Sequence, residues 1–175
     1  LLRLSPKVRE RRWRVDPNTA AAWPAKQETL RAWVYDKLIG RLPHPRLSPN
    51  PRTRLVLDEE QFLGYEVVLD VFPDVIAAGV LLLPKGIKAG EKRPLVVCQH
   101  GLEGQPMDTI SRAAGVYRAY KAFSAELCKR GFIVYAPQNP YRGEDRFRTI
   151  QRKSNPLRRS LFSYIIPQHE QNPMI

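Results

Sequence analysis

The stretch Leu95-Val96-Val97-Cys98-Gln99-His100-Gly101-Leu102-Glu103-Gly104, completed further along by Gly131-Phe132-Ile133-Val134-Tyr135-Ala136, decides the fold. Leu95 to Gln99 follows Pro94 as a run of β-branched and apolar residues, the pattern of a strand covered on both faces in a parallel sheet. Between the two runs Val116, Tyr120, Phe123 and Leu127 recur at steps of four, three and four, which predicts one helix with that stripe buried. Lys129 and Arg130 suit the negative end of its dipole, and Gly131 suits a left-handed cap. Strand, loop, helix, glycine and strand make a βαβ unit with a right-handed crossover. Open sheets of this kind bind ligands beyond the carboxyl ends of their strands. That rule singles out two loops, Gln99 to Asp108 and Gln138 to Arg148.

On the N-terminal side, Tyr65, Val67, Leu69 and Val71 alternate with Glu66 and Asp70, and Pro73-Asp74 turns the chain into the apolar run Ile76 to Leu83. This predicts an antiparallel hairpin at the edge of the sheet. Four prolines between Pro43 and Pro51 make an extended connector. The expected division is therefore a basic, Pro-rich N-terminal extension over 1–50 and a main domain over 51–175. The extension carries one helix, from about Pro24 to Ile39, with Leu30, Trp33, Val34 and Leu38 at helical spacing and Gly40 at its end. Beyond the second loop a last helix is expected after Asn155-Pro156, with Leu157, Leu161, Tyr164 and Ile165 on one face and Pro167 kinking or ending it.

Composition narrows the class. With 175 residues, 43% of them hydrophobic, the chain has material for a core. The longest apolar run, Val75 to Leu83, is about half the roughly 20 residues a membrane-spanning helix needs, so a soluble protein is expected and no membrane role. No secretory leader is visible, which leaves the compartment open. Cys98 and Cys128 form neither a disulfide framework nor a metal cluster and read as buried free thiols. The net charge of +12 gathers in two clusters, Arg3 to Arg14 and Arg146 to Arg159. Such clusters attract polyanions such as nucleic acid, or they are solvated faces. The neighbouring aromatics make no stacking platform, so nucleic acid is the less favoured partner.

The two loops give the chain a family likeness. Gln99-His100-Gly101-Leu102-Glu103-Gly104, directly after its strand, resembles the α/β-hydrolase superfamily, in particular the esterase branch with acetyl xylan esterases and dienelactone hydrolase-like proteins. Gly131-Phe132-Ile133-Val134, Pro137 and Arg142-Gly143 resemble that family's G-[YF]-x-V-x-x-P…R-G stretch. The likeness runs from about Tyr65 to Gln171. It implies an incomplete α/β-hydrolase fold with an N-terminal helical extension, an antiparallel edge hairpin and a parallel βαβ unit. It also implies a small-molecule ester substrate, no cofactor, and the Leu102 backbone N–H as an oxyanion donor, with His100, Gly101 and Arg142 at the substrate. The bland alternative for His100 is a tight turn in which it only hydrogen-bonds its neighbours. Arg142, Glu144, Asp145 and Arg146 are expected at the pocket mouth or in a surface ion-pair network.

The family's nucleophile sits on a Gly-x-Ser-x-Gly elbow, with its acid and histidine following, and no such motif occurs in these 175 residues. The histidines are His44, in the connector, His100 and His169. Ser160 and Ser163 are the least implausible nucleophiles, and Ser111 reads as a helix cap. No metal-ligand spacing is present. The expectation is the N-terminal part of a serine carboxylic-ester hydrolase, inactive by itself. Two alternatives stay open: a basic polyanion-binding module, and a non-catalytic half-domain that associates through its incomplete sheet.

Overall fold

Alternation along residues 62–72 and the turn at Pro73-Asp74 produce the hairpin at the heart of the computed structural model, which describes residues 5–14, 17–143 and 145–174. Strand β2, Phe62–Phe72, pairs antiparallel with β3, Val75–Pro84. A strand missing from the sequence expectation, β1 (Arg52–Asp58), pairs antiparallel outside β2 and takes the edge, so the hairpin lies one strand further in. Its charged residues hide it: Arg52 and Arg54 reach across to Asp70 and Glu66, each at 2.6 Å. On the other side β5, Ile133–Gln138, pairs antiparallel with β3 and parallel with β4, Leu95–Val97. The order is β1-β2-β3-β5-β4, a mixed α/β sheet.

Strand β4 departs from expectation. Its apolar run predicts a strand covered on both faces, yet it is an edge strand with Leu95 40% and Val97 47% exposed, because among the described residues no strand pairs on its far side. The core is split by the sheet. One face buries Phe62, Val80, Leu82, Val134 and Ala136 under Ile110, Ala125 and Cys128. The other buries Val67, Leu69, Val71, Phe72, Ala77 and Tyr135.

The crossover is two helices instead of one. Helix α3 (Ala114–Tyr120) and helix α4 (Phe123–Lys129) are separated by Lys121 and Ala122, with φ of 55° and 52°. The break turns Ala122, Ser124, Ala125 and Cys128 onto the sheet, while Phe123 and Leu127 of the expected stripe pack alongside, half-buried. Small side chains permit that close approach. Gly131 caps α4 as expected: at φ 94° its N–H donates to Cys128 O, and that of Phe132 donates to Leu127 O. This is the paired bonding of a Schellman cap.

The C-terminal part also differs. An unanticipated helix α5 spans Arg146–Ser154, a 3₁₀ turn covers Asn155–Leu157, and α6 runs Phe162–Gln171. Leu157 precedes α6 and is 69% exposed, so it is not on the buried face. Pro167 neither ends α6 nor lies at its boundary; it is a buried residue inside the helix. Side-chain amides hold that helix to the sheet: Gln168 Nε2 donates to Ile76 O at 2.6 Å, and Gln171 Nε2 to Leu47 O and Asp70 O, both at 2.8 Å.

The chain forms two compact units, Leu1–Arg41 and Leu42–Ile175. The proline connector belongs to the second by hydrogen bonding: Leu47 N donates to Val71 O and Asp70 N to Pro49 O. The first unit has α1 (Ser5–Trp13), a 3₁₀ turn (Pro17–Ala22) and α2 (Trp23–Trp33) running into a π-helical segment, Val34–Ile39. Gly40, at φ 86°, ends it as expected. No residue of α2 or the π segment is buried, so the apolar spacing there is not a core stripe. Arg3 and Glu144 lie outside the described residues. Among the described residues no helix is long and apolar enough to cross a membrane.

The sheet and α6 give three expectations for stability. A Cβ on Gly79 would stand 2.5 Å from the Tyr135 ring and hydroxyl and 2.6 Å from Ala136 O. Gly79→Ala therefore costs about 1–3 kcal/mol of overpacking in urea unfolding. The Tyr135 hydroxyl is buried without a partner, so Tyr135→Phe is neutral or stabilising in the same assay. For His169, burial first and the charge of His100 second hold the imidazole below its ordinary 6.5. The unfolded chain then binds more protons just below pH 6.5, so the histidine's contribution is complete above that pH and is lost on acidification. Unfolding midpoints should fall as the pH drops below 6.5, and His169→Gln should flatten that slope.

Candidate active site

The parallel pair sets the site. Beyond β4 the ladder continues by one bond, Cys98 N to Tyr135 O at 2.7 Å, and the chain then leaves the sheet. Gln99 Nε2 reaches Asn139 Oδ1 at 3.5 Å, tying the exit of β4 to the exit of β5. Residues 101–104 form a tight turn closed by Gly104 N donating to Gly101 O at 3.1 Å.

Leu102 sits at the tip of that turn, 74% exposed. Among the described residues its amide donates no hydrogen bond, and neither does that of Glu103. The Gly101 amide donates to the Tyr120 hydroxyl at 3.0 Å. His100 lies beneath, 4% exposed, with Nδ1 2.6 Å from Gly101 O. A carbonyl only accepts, so Nδ1 carries the proton and Nε2 is the basic nitrogen. Nε2 is buried without a hydrogen-bond partner. The loop then enters a 3₁₀ turn, Pro106–Thr109, framed by Gln105 N donating to Asp108 Oδ2 at 2.8 Å.

The second loop faces the first. A cavity of about 250 Å³ is lined by Gln105, Pro106 and Met107 from one loop and by Gln138 and Arg142 from the other, over a floor from β2 and β3 that includes Glu66, Val68 and Val80. Gln138 Nε2 donates to Asn139 O and Tyr141 O, both at 3.1 Å, which folds this loop back on its strand. Burial, and after it the charge of Glu103, push the Tyr141 phenol above its ordinary range, a second sign that the loops are close. Arg142 is exposed at the cavity wall and has no ion pair among the described residues. Asp145 instead pairs with Arg148 at 3.2 Å, the plainer of its two expected roles.

The remaining sequence candidates do not line this cavity. Ser163 is 1% exposed and its Oγ accepts the Ser160 amide at 3.0 Å, a helix-start contact. Ser111 Oγ accepts the Ala113 amide at 3.1 Å ahead of α3, whose capping position is Ala113 itself. His44 is exposed in the connector. His169 Nδ1 accepts from Asn172 Nδ2 at 3.3 Å. Cys98 and Cys128 are buried and free, and burial raises both thiols, Cys128 to about 11. Among the described residues no group of three or more His, Cys, Asp or Glu side chains is placed to hold a metal.

Sequence reasoning missed Tyr120 as part of the turn and assigned it only to a buried stripe. It also missed a second cavity, of about 390 Å³, between the β2–β3 turn and helices α5 and α6, lined in part by Ile76, Pro140, Lys153 and Tyr164. Neither has a local signature, since each depends on where α3 and α5 break or begin.

No family model matches the chain, and no curated protein matches it in sequence. Solved structures do. A crystal structure titled "putative acetyl xylan esterase" from Bacteroides fragilis NCTC 9343 superposes with a TM-score of 0.66 at 18% identity, covering 85% of this chain and 41% of that one. Methylesterase BT1017 covers 65% of this chain and 22% of its own at a TM-score of 0.42 and 13% identity, below the level at which a shared fold follows. This chain thus spans about two-fifths of the length of the Bacteroides protein and has an esterase-like α/β fold.

Proposed function

We propose that this chain contributes the oxyanion side of a serine carboxylic-ester hydrolase and lacks the nucleophile, acid and base that complete such a site. The observation that carries the reading is the Leu102 amide, uncommitted among the described residues at the tip of a tight turn where β4 ends, in the loop whose next residues, Gln105 to Met107, wall a cavity together with Gln138 and Arg142. When a serine attacks an ester carbonyl, negative charge grows on the carbonyl oxygen. An amide dipole already fixed in place stabilises that charge without reorganising, by about 3 kcal/mol per donor. Gly101 lets the backbone approach, His100 braces the turn from below through Gly101 O, and Arg142 meets the substrate from the facing wall.

The remaining chemistry has no owner among these residues. No Gly-x-Ser-x-Gly occurs in the 175 residues, Ser163 is buried, and the basic nitrogen of His100 is enclosed. A small-molecule ester would be bound and polarised but not attacked. The exposed Leu95 and Val97 on the open β4 edge also favour self-association. Sedimentation should show a weight-average mass that rises with concentration; a concentration-independent monomer would remove that point.

Purified chain should release no p-nitrophenol from p-nitrophenyl acetate above the buffer rate, and sustained turnover would refute the division of labour. The coding sequence beyond Ile175 offers the positive test, since a Gly-x-Ser-x-Gly followed in frame by an acid and a histidine is expected. In that longer chain Leu102→Pro, which removes the donor N–H, should lower kcat about 10²–10³-fold.

A further inference from the structure

The turn that carries Leu102 is built around a phenol. Tyr120 ends α3, and its ring meets that of Phe123 at the start of α4, with centroids 6.3 Å apart and planes tilted by 46°. The two left-handed residues between them, Lys121 and Ala122, separate the helices at this point. From there the Tyr120 hydroxyl reaches the turn and accepts the Gly101 amide at 3.0 Å. A Cβ on Gly101 would stand 3.0 Å from that oxygen, and one on Gly104 would stand 2.7 Å from it. Gly101 and Gly104 are therefore glycine where the phenol oxygen lies against them. Backbone dihedrals do not require it, because neither has a positive φ.

We propose that Tyr120 is the positioning residue of this turn: its hydroxyl fixes the Gly101 amide, and so holds the Leu102 amide in one orientation at the tip of the turn. The inference rests on the oxyanion reading for its functional meaning. Its physical content, a phenol that holds a turn, stands apart from that reading. Tyr120 acts through the backbone; substrate does not touch it. Without the hydroxyl, the Gly101 amide has no acceptor and the tip of the turn is free to rotate.

Amide hydrogen exchange on the ¹⁵N-labelled chain tests this. In Tyr120→Phe the Gly101 amide should exchange about tenfold faster, the loss expected for one hydrogen bond. Val134 and Tyr135, in the central strand, should keep their protection. Unchanged Gly101 exchange would overturn the proposal. Should Tyr120→Phe lose strand protection as well, Gly101→Ala decides, because its Cβ meets only the Tyr120 hydroxyl. Selective acceleration at residue 101 supports the proposal, and no change overturns it. Titration with methylphosphonate, a tetrahedral anion, separates the two layers. A Leu102 amide shift in the native chain that disappears in Tyr120→Phe supports both. No shift in the native chain, with the Gly101 effect intact, sinks the oxyanion reading alone.

Discussion

The parallel pairing of β4 with β5 is the constraint on which the rest of residues 42–175 depends. Leu95, Val96 and Val97 stand opposite Ile133, Val134 and Tyr135, so both strands end on the same side of the sheet. A parallel pair cannot be closed by a short turn, and the chain must cross over through α3 and α4 before returning. The cost is a long connection; the consequence is that the loops after β4 and β5 emerge together. Had the pair been antiparallel, the turn near His100 and the loop near Arg142 would lie at opposite ends. The contact from Gln99 to Asn139 and the cavity walled by Gln105 and Arg142 both follow from this pairing.

The crossover has to pack closely for the pairing to hold, and its residues show how. Ala122, Ala125 and Cys128 present little bulk to the sheet, and the one polar side chain among them, Ser124, donates to Thr109 Oγ1 at 2.7 Å. Thr109 in turn donates to Pro106 O at 2.7 Å. A buried hydroxyl without a partner costs free energy, whereas this relay satisfies both and fastens the 3₁₀ turn of the first loop to α4. The loop that borders the cavity is thus anchored at two places, through Thr109 to α4 and through Gly101 to Tyr120 at the end of α3. Rigidity at a strand-end loop is what separates a preorganised dipole from a mobile one.

The parts of this architecture that were legible in the sequence are those with a local cause. Pro73-Asp74 turns the hairpin, and Gly131 at φ 94° ends α4, because those residue types are adapted to those conformations wherever they occur. The parts that were not legible depend on partners distant in the chain. Strand β1 carries Arg52 and Arg54, poor strand signals until Asp70, two residues beyond the partner of Arg52, and Glu66, directly opposite Arg54, pair with them. A period of three and four residues joined Tyr120 to Phe123 on one helix, but nothing local announces left-handed conformations at Lys121 and Ala122, which the buried position of Ala122 holds in place. Pro167 predicts a kink or an end, and the helix runs on past it because Gln168 and Gln171 bond to the backbone at Ile76, Leu47 and Asp70. At the candidate site the motif located the turn and the parallel pairing located its neighbour, while the phenol that supports it was visible only in three dimensions.

The basic surplus takes on a shape once the ion pairs are assigned. Asp58, Glu66, Asp70, Glu91, Glu126, Asp145 and Glu170 each already hold a Lys or Arg. The Arg52, Arg93 and Arg112 hydrogen bonds keep the carboxyls of Asp70, Glu91 and Glu126 below their ordinary range. Among the described residues Arg142 and Lys153 make no ion pair, and each borders a cavity, Arg142 with Glu66 and Lys153 with Asp74 in the same lining. Exposed charges of this kind are screened beyond about 8–10 Å in physiological salt, so they do not set stability. Their reach is therefore local to the cavity walls that they share with Glu66 and Asp74. Arg142 and the Leu102 turn belong to the two loops that leave β5 and β4 on the same side of the sheet, and that much follows from the parallel pairing alone.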